Sequence, residues 1–176
     1  MGAFSKNAKL WPNAIIYYVP NPKHEFWNLI KESIKQYNEK TVIRFVERTN
    51  EPNYIYFTCD KSRTNYAPLG MPNGAGAVNI KHNVRITHEL AHVIGMIHEH
   101  QRNDRDSFIE FCRENMDQNE FAEFGILKQE SFIYETATPF DLASVTQYWD
   151  SASSTLRKIT MKYKLNPKVR WGSTEK

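Results

Sequence analysis

The chain has 176 residues, of which 40% are hydrophobic and 24% are charged, and its formal net charge is +3. This composition is typical of a folded globular protein and excludes a disordered or fibrous chain. So small a positive surplus argues against a dedicated nucleic-acid-binding protein. The longest apolar runs, of about five residues, are far shorter than the roughly 20 needed to span a membrane. The two cysteines, Cys59 and Cys112, could form one disulfide or none.

Strands and helices are predicted to alternate over the first half of the chain. Runs of β-branched and aromatic residues between turn signals predict strands at residues 14–19, 41–46, 54–58 and 77–80. Apolar residues spaced three and four apart predict an amphipathic helix over residues 23–40. A second helix is predicted from about residue 83 to residue 94, after a loop rich in proline and glycine.

Beyond Gly95 the periodic pattern weakens. Short helices are predicted within residues 106–119 and 120–128, and the remainder is expected to form loops. Sheet and helix followed by irregular chain indicate an α+β fold in which two lobes face a cleft. We expect the lobes to cover residues 2–97 and 98–176, approximately.

Residues 88–99, which read His-Glu-Leu-Ala-His-Val-Ile-Gly-Met-Ile-His-Glu, contain a pattern typical of zinc sites. His88 and His92 are four residues apart, so on a helix their imidazoles lie on one face and can bind a single zinc ion. Glu89 is the next residue after His88, close to the metal but rotated away from it. It is therefore placed to take a proton from an attacking water molecule.

Gly95 and His98 complete the pattern. Gly95 is expected to end the helix, because glycine enters the left-handed region without a steric penalty. The turn would then bring His98 back as a third ligand, whereas a continuous helix would carry it about 15 Å from His88 along the axis. The whole pattern is expected by chance in only about one in tens of thousands of shuffled sequences. We therefore interpret it as a zinc site.

The extended motif resembles that of the metzincin clan, and several flanking stretches resemble the catalytic domains of the astacin family. These stretches are residues 10–13, 41–49, 98–106 and 140–148. The resemblance extends from Gly2 to about Gly172. It implies that residues 1–176 form one astacin-like catalytic domain with a metzincin-type, two-lobed zincin fold. The N-terminal lobe would hold a mixed sheet and two long helices, and the C-terminal lobe would be smaller and irregular.

The resemblance also implies the residues of an active site for a zinc-dependent endopeptidase. One zinc ion per chain would be bound by His88, His92 and His98. Glu89 would act as general base and then as general acid. Tyr148 matches the family tyrosine that caps the zinc at rest and swings away to stabilise the tetrahedral intermediate.

Further implications concern the N-terminus and the partners. Glu99 matches the family glutamate that holds the mature N-terminus, which we expect close to Gly2. A protein or peptide substrate would bind extended along an edge strand at residues 77–80. We expect a monomer that binds no nucleic acid and spans no membrane.

Three departures from the family pattern stand out. Thr146 occupies the place of the family methionine in the turn beneath the zinc site. Val42 and Ile80 stand at or near places where the family usually has cysteines, and the sequence ends at Lys176, before the family's C-terminal helix. Because the fold is normally secreted in this family, we expect a secreted, extracellular protein. The scarcity of cysteines leaves delivery into a host cytosol as the alternative.

Two other functions are compatible with the zinc pattern. The first is a zinc-binding module or toxin component that has lost peptidase activity, which the threonine at position 146 would favour. The second is a different zinc hydrolase built on the same helix. The intact Glu89 argues against the first, because only catalysis requires a carboxylate there, and the astacin-like flanks argue against the second.

Overall fold

A four-stranded sheet organises the first part of the chain in the computed structural model, which describes residues 3–126, 138–154 and 158–171. Its strands are β1 (Ile15–Val19), β2 (Arg44–Glu47), β3 (Tyr54–Thr58) and β4 (Ala75–Asn79). The order is β2-β1-β3-β4, and all three strand pairs are parallel. An isolated antiparallel bridge joins Tyr66 to Asn79, so the sheet is mixed at that margin.

Two helices pack on the core that this sheet forms. Helix α1 (Trp27–Lys40) buries Ile30 and Ile34, and helix α2 (Ile86–Ile94) buries Leu90 and Val93. These side chains share one core with alternate residues of the strands, including Ile16, Tyr18, Phe45, Ile55, Phe57 and Val78. The spacing that predicts the helices therefore marks the faces that they bury.

Helix α1 begins four residues later than the apolar spacing predicts. The preceding turn is held by His24, whose Nδ1 accepts a hydrogen bond from the Phe26 amide (3.0 Å). Because Nδ1 accepts, the other ring nitrogen, Nε2, is the donor, and it bonds to the Thr58 carbonyl at 2.9 Å. The imidazole therefore joins the turn before α1 to the end of β3.

The chain divides into two compact units, Ala8–Met96 and a second that combines Met1–Asn7 with Ile97–Lys176. The sheet and both helices belong to the first unit. Within the described ranges, no helix is long and apolar enough to cross a membrane.

The second unit contains a strand pair that the sequence analysis assigns to helix and loop. Strands β5 (Ile109–Phe111) and β6 (Met161–Tyr163) pair antiparallel, and the predicted short helices are replaced by β5 and three 3-10 segments: Arg105–Ser107, Arg113–Asn115 and Gln118–Phe124. Residues 127 and 128, at the end of the second predicted helix, lie outside the described residues. A separate core forms around Ile109, Met116, Phe124, Met161 and Trp171.

Gly70 is predicted to be intolerant of any side chain. Its φ is +77°, and a Cβ there would lie 2.7 Å from the Lys9 carbonyl oxygen. We expect Gly70→Ala to lower the free energy of unfolding by about 3 kcal/mol, since strain in the left-handed region and a backbone clash add. Gly74→Ala is the control, because Gly74 has φ +92° but no atom within 4 Å of the added Cβ. Urea denaturation should show that Gly74→Ala lowers the free energy of unfolding by only about 1 kcal/mol. Equal losses in the two variants would contradict the clash at position 70.

Candidate metal centre

Helix α2 places two histidines on one face. His88 and His92 lie one turn apart, and their Nε2 atoms are 3.0 Å from each other. Two nitrogens bound to one tetrahedral zinc at 2.0–2.1 Å would lie about 3.3 Å apart. The pair is therefore already spaced to share a cation.

His92 is held in the form that a metal requires. Its Nδ1 lies 2.7 Å from the Met96 carbonyl oxygen, which can only accept, so Nδ1 carries the hydrogen and Nε2 keeps its lone pair. Burial also lowers the pKa of His92, which favours the neutral ring. Such an outer hydrogen bond orients a ligand and raises its basicity.

The end of α2 explains why Met96 reaches back to His92. Gly95 adopts φ +108°, and its amide bonds to the His92 carbonyl at 2.8 Å. The Met96 amide bonds in turn to the Ala91 carbonyl at 3.1 Å. These bonds form the left-handed helix end for which glycine is favoured, as the sequence predicts.

His98 has its own orienting partner, Gln101. The Gln101 amide nitrogen donates to the Glu123 carbonyl, which leaves its Oε1 to accept from His98 Nδ1 at 3.2 Å. His98 therefore presents its Nε2 lone pair as well. Gln101 could not be identified from the sequence, because a glutamine three residues after a histidine carries no signal until the turn between them is known.

The three histidines come together. Their ligand atoms all lie within 4.8 Å of one another. Three imidazoles are one of the donor sets of catalytic zinc sites, in which water or substrate takes the fourth position. The residues therefore fit the zinc that the sequence predicts.

Glu89 follows His88 on α2 and is almost completely buried, at 5% exposure. Burial raises the pKa of its carboxyl group to about 7, against a smaller opposing effect from the positive charge of Arg85. A carboxyl group that titrates near neutrality can both accept and return a proton. Glu89 therefore has the burial and the raised pKa that a general base would need.

Tyr148 packs directly against His98, with ring centroids 4.4 Å apart. The ring also contacts His100, with ring centroids 4.2 Å apart, and the two histidine rings stack on each other at 5.2 Å. Its backbone carbonyl accepts hydrogen bonds from the indole of Trp171 (2.9 Å) and from the Gln147 side-chain amide (3.0 Å). These contacts fix the backbone of Tyr148 and keep its ring beside the third histidine.

The turn before Tyr148 accommodates a polar residue in place of the family methionine. Thr146 is completely buried, and its hydroxyl lies 3.1 Å from that of Ser144. Its carbonyl accepts from the Glu99 amide at 3.3 Å. The buried hydroxyl is therefore satisfied, so the substitution leaves no unpaired polar atom at Thr146.

Comparisons with known proteins agree with this geometry. A family model described as Astacin, a peptidase family, matches residues 3–172. The chain belongs to the astacin family. Zinc metalloproteinase nas-7 of Caenorhabditis elegans is 36% identical over 82% of this chain and 39% of its own length. Astacin-like metalloprotease toxin 1 of Loxosceles intermedia is 32% identical over 97% of this chain and 64% of its own length.

A solved structure supports the same astacin assignment. High choriolytic enzyme 1 from the medaka Oryzias latipes, a hatching enzyme zinc-protease, superimposes with a TM-score of 0.80 at 28% identity. The match covers 94% of this chain and 84% of that one. The predicted astacin family and fold class are therefore confirmed, and the zinc cofactor predicted from the sequence agrees with the family and with the group of three histidines. The chain spans 39% of nas-7, so it corresponds to less than half of that relative.

Proposed function

We propose that this chain is a zinc-dependent endopeptidase that hydrolyses peptide bonds of proteins. The observation that carries the proposal is the set of three histidines whose ligand atoms converge within 4.8 Å, with a buried glutamate beside His88 on the same helix. The relatives named above are described as metalloproteinases or a zinc-protease. These descriptions favour a peptidase over a binding module without activity.

One zinc ion per chain would be held by His88, His92 and His98. When bound, zinc supplies a Lewis acid that lowers the pKa of water and polarises the scissile carbonyl. The chain's contribution is to hold neutral imidazoles in place. Met96 does this for His92 through its carbonyl, and Gln101 does it for His98.

Glu89 would move the proton. It accepts a proton from the attacking water as the new bond from oxygen to the carbonyl carbon forms. It then donates that proton to the amine nitrogen as the bond from carbon to nitrogen breaks. A pKa of about 7, raised by burial, suits both transfers near neutral pH.

Tyr148 would cap the site at rest and donate a hydrogen bond to the developing oxyanion. Two features support this role: its ring lies against His98, and hydrogen bonds to its carbonyl fix its backbone. A donor placed where charge develops stabilises the transition state more than the ground state.

Glu99 would hold the mature N-terminus. Its side chain is fully buried, with Oε1 bound to Arg102 at 2.9 Å and to the Asp141 amide at 3.0 Å. Its second oxygen, Oε2, has no hydrogen-bond partner among the described residues. An unpaired, buried carboxylate oxygen supports the assignment, because it can accept a hydrogen bond from an amine or a bridging water.

The substrate would be an extended segment of a protein or peptide, bound beside β4. The resemblance predicts this edge at residues 77–80, but the bridge from Tyr66 already uses both backbone groups of Asn79. The outermost backbone at that end of the sheet therefore belongs to the segment around Tyr66. Pairing with this margin would align the substrate by β-augmentation.

The proposal also covers the location of the protein and its oligomeric state. We place the protein outside the cell, as the family resemblance suggests, with delivery into a host cytosol as the alternative that free thiols at Cys59 and Cys112 would tolerate. We also propose a monomer. Fractionation of the cells that make the protein tests its location, and light scattering of the pure protein tests whether it is a monomer.

Zinc removal is the direct test of the function. The purified chain is expected to hold about one zinc ion and to cleave unfolded casein. An excess of 1,10-phenanthroline should abolish cleavage, and added zinc should restore it. A chain that holds zinc and cleaves neither casein nor peptides would indicate the inactive binding module. A chain that binds no zinc would contradict the ligand set itself.

A further inference from the structure

The side chain of Asn79 joins β4 to the loop that follows β3. Asn79 is completely buried, and its Oδ1 accepts from the Asp60 amide at 2.7 Å and the Thr58 hydroxyl at 3.0 Å. Its Nδ2 donates to the carbonyls of Thr64 at 2.8 Å and Asp60 at 3.3 Å. All four bonding positions of this amide are therefore used.

Asn65 makes a second, equally complete connection. Its Oδ1 accepts from the amides of Lys81 (2.9 Å) and His82 (3.0 Å). Its Nδ2 donates to the carbonyls of Val84 (2.9 Å) and His82 (3.2 Å). The two side chains, which we call the asparagine clamp, thus hold residues 58–66 against residues 79–84.

The clamp acts on a segment that apolar packing does not hold. Residues 60–64 are all exposed, and none buries an apolar side chain. Lys61 forms an exposed ion pair with Glu25, and such pairs contribute little. Hydrogen bonds from the clamp are therefore the buried contacts that restrain this loop before Tyr66.

A backbone bridge next to the clamp sets which backbone groups face outward. The Tyr66 amide donates to the Asn79 carbonyl at 3.1 Å, and the Asn79 amide donates to the Tyr66 carbonyl at 2.8 Å. Backbone groups alternate along an extended chain, so those of Asn65 and Ala67 point away from β4. The outward row is the one that an incoming peptide would meet.

We propose that Asn65 and Asn79 are positioning residues that hold the backbone of residues 64–67 as the outer strand on which an extended peptide substrate pairs. This inference rests on the proposed function. The clamp side chains themselves do not contact substrate. They fix the strand that does, and an edge held in register binds a peptide with less loss of conformational entropy.

Asn65→Ala tests the proposal with two peptides, one of about ten residues and one of about four that shares the same scissile bond. Loss of the clamp is expected to lower kcat/KM for the long peptide about tenfold, mainly through KM, and for the short one by less than about twofold. Asn53→Ala is the matched control. The Asn53 Oδ1 accepts from the Gly74 amide at 2.8 Å, just before β4 begins, outside the clamp. This control should leave both values within about twofold.

Hydrogen exchange provides a readout that does not depend on activity. In Asn65→Ala the Tyr66 and Asn79 amides should exchange at least about tenfold faster than in the wild type. Equal kinetic losses for both peptides, or unchanged exchange, would overturn the positioning role. If the wild type, loaded with zinc, cleaves neither peptide, the proposed function fails. Exchange then decides separately whether the clamp holds the strand.

Discussion

Replacing Glu89 with glutamine is expected to lower kcat for peptide hydrolysis about a thousandfold while zinc stays bound. Glutamine keeps the shape of the side chain but cannot take a proton from water. Burial raises the pKa of Glu89 to about 7, which suits its carboxyl group to proton transfer. Burial also makes it hard for solvent water to take over the role of the base. The histidines that would hold zinc are unchanged in the variant. It should therefore keep its zinc while it loses catalysis.

The measurement pairs zinc content after dialysis with the rate of casein cleavage. Glu25→Gln is the control, because Glu25 is an exposed glutamate paired with Lys61 at 2.6 Å. It should match the wild type in both zinc content and rate. Loss of zinc from Glu89→Gln would mean that Glu89 supports the metal site structurally. Retained activity would mean that another group acts as the base.

Replacing Arg102 with methionine is expected to lower the free energy of unfolding by about 3–5 kcal/mol. Arg102 is completely buried, and its guanidinium bonds to Glu99 at 2.9 Å and to Asp104 at 2.7 Å. It also donates to the carbonyls of Thr138 and Pro139. Methionine fills much of the volume but leaves the buried Glu99 carboxylate without its cation.

Urea denaturation followed by tryptophan fluorescence measures this loss. Lys61→Met is the matched control, since it removes a cation from an exposed ion pair, and surface pairs contribute little. Its unfolding midpoint should stay at the wild-type value. A small effect of Arg102→Met would show that Glu99 takes up a proton without penalty once its partner is gone. Burial already raises the pKa of Glu99, which is the first step in that direction.

Local sequence patterns were sufficient for the parts of the fold that local physics determines. The spacing of Ile30 and Ile34 marks the buried face of α1, and two histidines four residues apart mark the metal-facing side of α2. The pairing of β5 with β6 joins residues about fifty positions apart in sequence and leaves no periodic signal in strands this short. The short helices predicted in this part of the chain are replaced by β5 and three 3-10 segments.

The candidate site also contains residues that the sequence could identify and others that it could not. The histidines and the glutamate that we propose as ligands and base could be named from the sequence, because their spacing on and just beyond a helix is itself the signal. The partners that orient them could not. Gln101 reaches His98 only after the chain turns, and Met96 contributes a carbonyl, which every residue has. Asn65 and Asn79 were equally invisible, since their partners are mostly backbone groups of distant loops.

If zinc binds as we propose, the bond from His92 to the Met96 carbonyl links metal occupancy thermodynamically to the last turn of α2. A cation on His92 favours the ring orientation that this carbonyl holds, so binding stabilises the turn around Gly95. Linkage is reciprocal: fraying of that turn weakens metal binding by the same free energy. The glycine that ends the helix therefore influences zinc affinity without touching the ion, and sequence changes in residues 94–96 become changes in the metal dissociation constant.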